Sequence, residues 1–332
     1  MKPRSMASGF PGFAAVANER ARGHRRSQER AAVCRSGGSG QTRVSIRIGI
    51  SGWRYSPWRG NFYPRALSQR DELAYAASRF PTIEINGSFY SLQRPQNYEL
   101  WREQTPPRFV FAVKAPRYIT HMLRLRAVEQ PLANFLASGI LALNGKLGPI
   151  LWQFPPNFQY EKPRMEAFLR LLPRDTKSAL ALARHRAGWM KGRVRLTIDR
   201  SRRLRHAFEM RHASFLNPSW IALLRKYRVA HVIAETANRW PLREDVTADF
   251  IYIRLHGDKE LYRSGYSDAA LARWAHRIEI WHRGLEPSDA QRISTVLPPP
   301  RQSRDVFCFF DNTDVKLRAP VDAQSLIEKV QM

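Results

Sequence analysis

The sequence predicts an α/β fold: a single TIM-type (β/α)8 barrel of parallel strands with outer helices, spanning residues 44–330. Three observations predict it. Short β-branched or aromatic runs alternate with longer helical patterns, the signature of βαβ units whose strands pair in parallel. Eight such runs follow one another between Val44 and Asp311, the number that closes a barrel. The turn after the first run, Ser51-Gly52-Trp53-Arg54-Tyr55, is bulky and aromatic, where an open doubly wound sheet carries a glycine-rich phosphate turn.

The elements are read in order. Val44 to Ile50 is the first strand, ended by Ser51-Gly52, and Leu67 to Phe80 is helical, with Ser68 as N-cap and Asp71 and Glu72 in its first turn. Thr82 to Asn86 is the second strand, Pro95 to Gln104 a helix opened by proline, and Phe109 to Lys114 the third strand. Pro131 to Asn144 sets Leu132, Phe135, Leu136, Ile140 and Leu143 on one helical face and stops at Gly145 as C-cap. Pro149 to Phe154 is strand four and Pro163 to Leu172 a helix; the Arg-rich stretch up to about Arg205 reads as an insertion with some helix. Ala207 to Arg211 is strand five, followed by a helix from Pro218 to Tyr227 opened by Asn217-Pro218. Val229 to Glu235 and Phe250 to His256 are strands six and seven. Ser267 to Arg283 is helical, Asp305 to Asp311 is strand eight, and Asp322 to Val330 closes the chain. Each strand is expected to be followed by a helix.

Residues 1–43 read differently. They carry nine Lys/Arg and two Glu with Gly, Ser and Ala filler and no apolar periodicity, the composition of a disordered basic arm or an over-extended start. They lack the apolar core of a secretory signal. The chain as a whole has a formal net charge of +27; removing the arm's +7 leaves +20 for the barrel. Such a field favours anionic partners, whether nucleic acid, acidic lipid surfaces or phosphorylated small molecules, although an arginine-biased composition gives the same count. Two cysteines, Cys34 and Cys308, make no disulfide framework and no metal cluster, which points to a reducing cytoplasm. No stretch reaches the ~20 apolar residues of a membrane span, so no membrane partner is expected. Oligomeric state is not legible.

Polar residues collect where the strands end: Glu84 and Asn86, Lys114, Gln153, Glu209 and Arg211, Glu235, Arg254 and His256, Asp311 and Asn312. In a barrel those ends converge on one pocket. Lys114, Arg211 and Arg254 would there stand around one mouth, a costly arrangement unless an anion answers them; internal pairing with Glu84 and Glu209 is the competing reading. Glu84, Glu209 and His256 are the acid/base candidates. Trp53, Tyr55, Asn86, Tyr90, His121, Gln153 and Asn312 complete the expected substrate-binding set. Glu84, His121, Glu209, His212, Glu235 and His256 are all competent metal ligands, but none falls in a metal-binding spacing and no metal is assigned. Nothing resembles a nucleophile elbow, a P-loop or a dinucleotide fingerprint, and no cofactor is expected.

These motifs, taken together, resemble the YecE-like family, known as domain of unknown function 72. The resemblance rests on Gly49-Ile50-Ser51-Gly52-Trp53-Arg54-Tyr55, Trp58-Arg59-Gly60-Asn61-Phe62-Tyr63-Pro64, Glu84-Ile85-Asn86-Gly87-Ser88-Phe89-Tyr90 and Phe111-Ala112-Val113-Lys114. It continues through Ile119-Thr120-His121, Leu147-Gly148-Pro149-Ile150-Leu151-Trp152-Gln153-Phe154-Pro155-Pro156 and Phe208-Glu209-Met210-Arg211-His212. It ends in Tyr252-Ile253-Arg254-Leu255-His256-Gly257 and Phe309-Phe310-Asp311-Asn312-Thr313. It implies a TIM-type barrel in a cytoplasmic bacterial protein and assigns no reaction. The chain departs from the pattern at Gly87, at Glu235, where many relatives carry Asp, and at Asp311, where many carry Asn.

Two function classes follow. The first is an enzyme acting on a small anionic molecule, phosphorylated or sugar-like. The second is a nucleic-acid-binding or metal-dependent nuclease-like protein using its basic surface. The second predicts affinity for DNA or RNA fragments that falls steeply with salt as counterions are released; binding that is absent or insensitive to salt removes it.

Overall fold

The computed structural model describes residues 45–313 and 317–331; the basic arm read at residues 1–43, with Cys34, lies outside them, as does Val44. Eight parallel strands close in sequence order into a barrel. They are β1 (Ile46–Ser51), β2 (Thr82–Ile85), β3 (Val110–Lys114), β4 (Leu147–Gln153), β5 (His206–Glu209), β6 (Ala230–Glu235), β7 (Phe250–Leu255) and β8 (Asp305–Phe310). β8 closes on β1 with Ile46 to Ile50 opposite Val306 to Phe310. Around them lie α1 (Glu72–Arg79), α2 (Gly87–Tyr90), α3 (Pro95–Glu103), α4 (Glu129–Ala137), α5 (Lys162–Leu171), α6 (Thr176–Ala183), α7 (Pro218–Tyr227), α8 (Asp268–His282) and α9 (Arg318–Gln331). None is long and apolar enough to cross a membrane.

Strand periodicity of two divides the buried residues into two bodies. Outward positions such as Ile50, Ile83, Val113, Trp152, Ile253 and Cys308 pack beneath the helices. Inward positions form a separate cluster. On one side that interior is lined by Ala112, Leu151, Ala207, Ala230 and Val232; on the other, by Phe250, Tyr252, Phe307 and Phe309. The Tyr252 and Phe309 rings lie 5.2 Å apart. Gly49 lets β1 approach β2: a Cβ there would lie 1.9 Å from the Thr82 carbonyl oxygen.

Several helix boundaries differ from the sequence reading, for local reasons. The helix expected from Leu67 begins at Glu72, because the Ser68 hydroxyl donates to the Asp71 carboxylate (2.6 Å) instead of capping a backbone N–H. The continuous helix expected over Pro131 to Asn144 is two pieces. Gly139 breaks it at φ 113°, where a Cβ would lie 2.5 Å from the Cα of Pro95. The second piece runs to Lys146, and Asn144, not Gly145, takes a positive φ (52°) that kinks it. The closing helix starts at Arg318, ahead of the expected Asp322. No helix lies between β6 and β7 among the described residues; 236–249 is irregular, so the expected strand–helix alternation fails there. The Asn217-Pro218 signal behaves as read: the Asn217 side chain accepts from the Ser219 N–H at 2.9 Å and opens α7.

His206 is a titratable anchor of the outer core. It is buried; its Nδ1 faces the Trp152 Nε1–H at 3.1 Å and its Nε2 faces the Pro173 carbonyl at 2.8 Å. The indole can only donate and the carbonyl only accept, so the ring is held as the neutral Nε2–H tautomer. Burial lowers its pKa from 6.5 to about 4. The unfolded chain therefore binds this proton first as the pH falls, and the stabilisation, complete above pH 6.5, is lost between 6.5 and 4. A shift of this size corresponds to about 3 kcal/mol. Denaturant unfolding at pH 7 and pH 4.5 is expected to show a shallower pH dependence in His206→Gln than in the parent; equal slopes in both would remove the assignment.

Candidate functional site

The period of two that places Ala112, Leu151, Ala207 and Tyr252 inside the barrel places Lys114, Gln153, Glu209 and Arg254 in the next layer, at the C-terminal mouth. Strand register joins them. Ser51 lies beside Glu84, Glu84 beside Ala112, Gln153 beside Glu209 and Arg254 beside Phe309.

Arg254 is the centre, 0% exposed. Its Nη2 and Nε donate to the two oxygens of Glu84 at 2.8 and 3.2 Å. Its Nη1 donates to Glu209 Oε2 at 2.8 Å and lies 3.3 Å from His256 Nε2. Its Nη2 is also 3.0 Å from Asp311 Oδ2. The carboxylates are further held: Ser51 Oγ donates to Glu84 Oε1 (2.9 Å) and Tyr252 OH to Glu84 Oε2 (2.6 Å). Gln153 Nε2 and Arg211 Nε donate to Glu209 Oε1 at 2.9 and 2.8 Å. Burial alone would keep Arg254 and Glu209 neutral. Instead Asp311, Glu84 and Glu209 hold the guanidinium well above its ordinary range, and Arg211 and Arg254 hold the Glu209 carboxyl well below its own.

This arrangement redistributes the roles expected from sequence. Every N–H-bearing nitrogen of Arg254 is engaged internally, so it braces the barrel and has no donor left for an incoming anion. Glu84 and Glu209 serve as its acceptors. His256 is enclosed between the same partners: its Nδ1 lies 3.0 Å from Asp311 Oδ2 and its Nε2 faces Arg254. Burial and Arg254 lower the His256 pKa, so the ring stays neutral.

Lys114 is different. Its side chain is 8% exposed, and among the described residues its ammonium has no hydrogen bond or ion pair; it rests 4.3 Å above the Phe89 ring. Burial, with Arg254 nearby, lowers its pKa to about 8. Arg211 projects beyond β5. Its guanidinium lies 4.0 Å over the Trp240 ring and its Nη2 donates to Tyr262 OH at 3.2 Å, while Nη1 makes no hydrogen bond among the described residues. His121 has Thr120 Oγ1 2.8 Å from its Nδ1 and packs edge-on against Phe89. Burial, Lys114 and Arg211 lower its pKa to about 4. Three basic groups therefore face one mouth, each lacking an internal answer to at least one nitrogen.

The remaining expected site residues sit apart. Trp53, Tyr55 and Asn86 line a neighbouring hollow of about 260 Å³ with Gln93 and Trp101. Tyr90 stands on the rim, 70% exposed. Asn312 is fully buried, its Nδ2 donating to Asp322 Oδ2 (2.9 Å) and the Ser264 carbonyl (3.0 Å), which makes it a pin between β8 and α9. The metal-competent residues form no donor set: Glu84, Glu209 and His256 surround the Arg254 guanidinium, His212 Nδ1 bonds Ser214, and Glu235 accepts from Trp274 Nε1. No group of three His, Cys, Asp or Glu among the described residues could hold a metal. Sequence reasoning assigned no role to Ser51, Tyr252 or Trp240, and read Asp311 only as one of the polar residues at the strand ends. Tyr252 was reachable, being two residues before Arg254 on the same inward face; Trp240, in the helix-free 236–249 connection, carried no signal.

Comparison with known proteins gives a consistent picture. The family described as "Protein of unknown function DUF72" matches residues 47–332. The UPF0759 protein YunF of Bacillus subtilis is 34% identical over 130 residues, covering 38% of this chain and 45% of that protein. The UPF0759 protein YecE of Escherichia coli K12 is 29% identical over 244 residues, 73% of this chain and 84% of that one. Among solved structures, a DUF72 family protein of Thermotoga maritima superposes with a TM-score of 0.65 at 21% identity, covering 87% of this chain and 100% of that one. One from Enterococcus faecalis superposes with a TM-score of 0.60 at 18% identity, covering 86% and 96%.

Removing the central guanidinium leaves buried carboxylates without their counter-ion, a loss of about 3–5 kcal/mol. Arg254→Met is expected to lower the denaturant midpoint accordingly; a variant as stable as the parent would show that the cluster does not brace the barrel.

Proposed function

The chain belongs to the DUF72 family, and from that premise we propose that it is an enzyme acting on a small anionic molecule, phosphorylated or sugar-like, held at the C-terminal mouth of its barrel. One observation carries the reading: the Lys114 ammonium, buried beside Arg254 with no acceptor of its own. A cation on a largely buried side chain without a protein partner is costly, and an anion supplies the missing acceptor. Arg211 offers Nη1 to the same ligand, with Tyr262 OH beside it.

Division of labour follows from what is already engaged. Arg254, Glu84, Glu209 and Gln153 fix the floor and orient Arg211. Lys114, with a pKa of about 8, changes its protonation near neutral pH and is the group best matched to general acid–base work. Asp311 is the most exposed of the three carboxylates around Arg254, its side chain 13% exposed, with the His256 ring 3.0 Å away. The acid/base role first read for Glu84, Glu209 and His256 passes to Lys114.

Sulfate is a suitable probe because its charge is constant across the pH range of interest. The parent protein is expected to bind it most tightly below pH 8 and more weakly as the pH rises through the Lys114 pKa of about 8, where the bound state must take up a proton. Lys114→Met is expected to weaken sulfate binding at least about ten-fold, a loss of about 1.4 kcal/mol, while its thermal midpoint stays level or rises because a desolvated charge has gone. Unchanged sulfate affinity in that variant, measured by calorimetry, would falsify the reading.

A further inference from the structure

Beside the mouth lies a second hollow, of about 280 Å³, lined by Phe89, Tyr90, Arg117, Tyr118, Met122 and Trp189 among others. We propose that it is a stacking subsite for a planar ring, so that the ligand of the mouth is a ring-bearing phosphate ester of the nucleoside monophosphate kind. This rests on the reading of the mouth as an anion site and names the class of molecule that enters it.

The first support is where this protein leaves aromatic surface in water. Four aromatic side chains are prominently exposed among the described residues: Tyr90, Tyr118, Trp189 and Tyr262. The first three line this one hollow, and the fourth stands at the mouth against Arg211. Met122, 62% exposed, adds a polarizable wall. Scattered exposed apolar residues are ordinary; a clustered set at one concavity marks a binding surface. Trp189 reaches the hollow from the Arg-rich insertion, on a single turn, Gly188–Met190. Tyr118 and Met122 come from the Tyr118–Met122 turn after β3.

The second support is continuity. Phe89 is a wall of the hollow, the platform under the Lys114 ammonium (4.3 Å) and the neighbour of the His121 ring (5.1 Å). A phosphate at Lys114 and Arg211 therefore places its substituent against the face that leads into the hollow. The third is charge. Arg117 lies 6.0 Å from the centre of the Tyr90 ring, and no carboxylate lines the hollow. The site thus repels cationic aromatics and accepts an anionic one. A volume near the lower end for ligand sites suits one ring system and not a long chain.

The experiment is a set of titrations on the full chain, followed by calorimetry and tryptophan fluorescence, with inorganic phosphate, ribose 5-phosphate, AMP, UMP and adenosine. AMP is expected to bind about ten-fold more tightly than ribose 5-phosphate, the gain typical of one stacked base, and to quench Trp189. Trp189→Ala and Tyr118→Ala, both at exposed positions, are expected to bring AMP down to the affinity of ribose 5-phosphate and to leave inorganic phosphate unchanged. Equal affinities for AMP and ribose 5-phosphate, with phosphate still bound, would overturn the stacking subsite alone. Absence of binding by every phosphate would overturn the anion site and the subsite together. Binding confined to oligonucleotides, steep in salt, would overturn the small-ligand form of the proposal.

Discussion

The guanidinium of Arg254 and the carboxylates it gathers set the terms for the upper half of this barrel. Glu84 comes from β2, Glu209 from β5, Arg254 from β7 and Asp311 from the end of β8, with Ser51 from β1 joining through Glu84. Each charge is desolvated, and each would be costly alone. Their mutual satisfaction requires the closed strand order and the observed register at once, because a shift of one residue would turn any of them to the outer face. The cluster therefore selects among compact states as much as it stabilises one. It also fixes what remains outside it: Gln153 and Arg211 are held against Glu209, and Lys114 is left as the cation without an acceptor.

Lys114 and Arg254 share nearly the same surroundings yet move in opposite directions, the ammonium down to about 8 and the guanidinium well above its ordinary range. Burial acts against charge on both. The difference lies in how closely the opposite charges approach: Asp311, Glu84 and Glu209 stand 2.8 to 3.0 Å from the arginine fork, while the lysine point charge meets an aromatic face. One residue is thereby committed to structure, and the other is left able to change protonation near neutral pH.

The architecture was legible in the sequence because its signals are local. Their places at the strand ends marked Glu84, Lys114, Gln153, Glu209 and Arg254 for one mouth before any pairing was known, and Asn217-Pro218 marked the start of α7. What was not legible depends on contacts between distant segments. Nothing near Arg254 in the sequence distinguishes a guanidinium spent on Glu84 and Glu209 from one open to a ligand, and nothing near Lys114 shows that its acceptor is missing. The break at Gly139 is set by Pro95 packing against it, and Ser68 fails as a cap because Asp71 takes its hydroxyl. Trp189 was hidden in an Arg-rich stretch whose spacing carries no periodicity. Trp240 lies in the connection where the expected helix is missing.

The uneven lining of the barrel interior has an evolutionary consequence. Small side chains at Ala112, Ala207 and Ala230 face a wall of Phe250, Tyr252, Phe307 and Phe309, so the lumen is filled from one side. Interiors are packed to crystal-like density, and a methyl group gained among the alanines has room only if a ring across the lumen shrinks. Substitutions at these positions are therefore constrained to travel in pairs between β3, β5 or β6 and β7 or β8, far apart in the chain. Among homologues such pairs should leave a signature of correlated change across the lumen, while the polar layer above it, fixed by charge rather than by volume, varies on its own schedule.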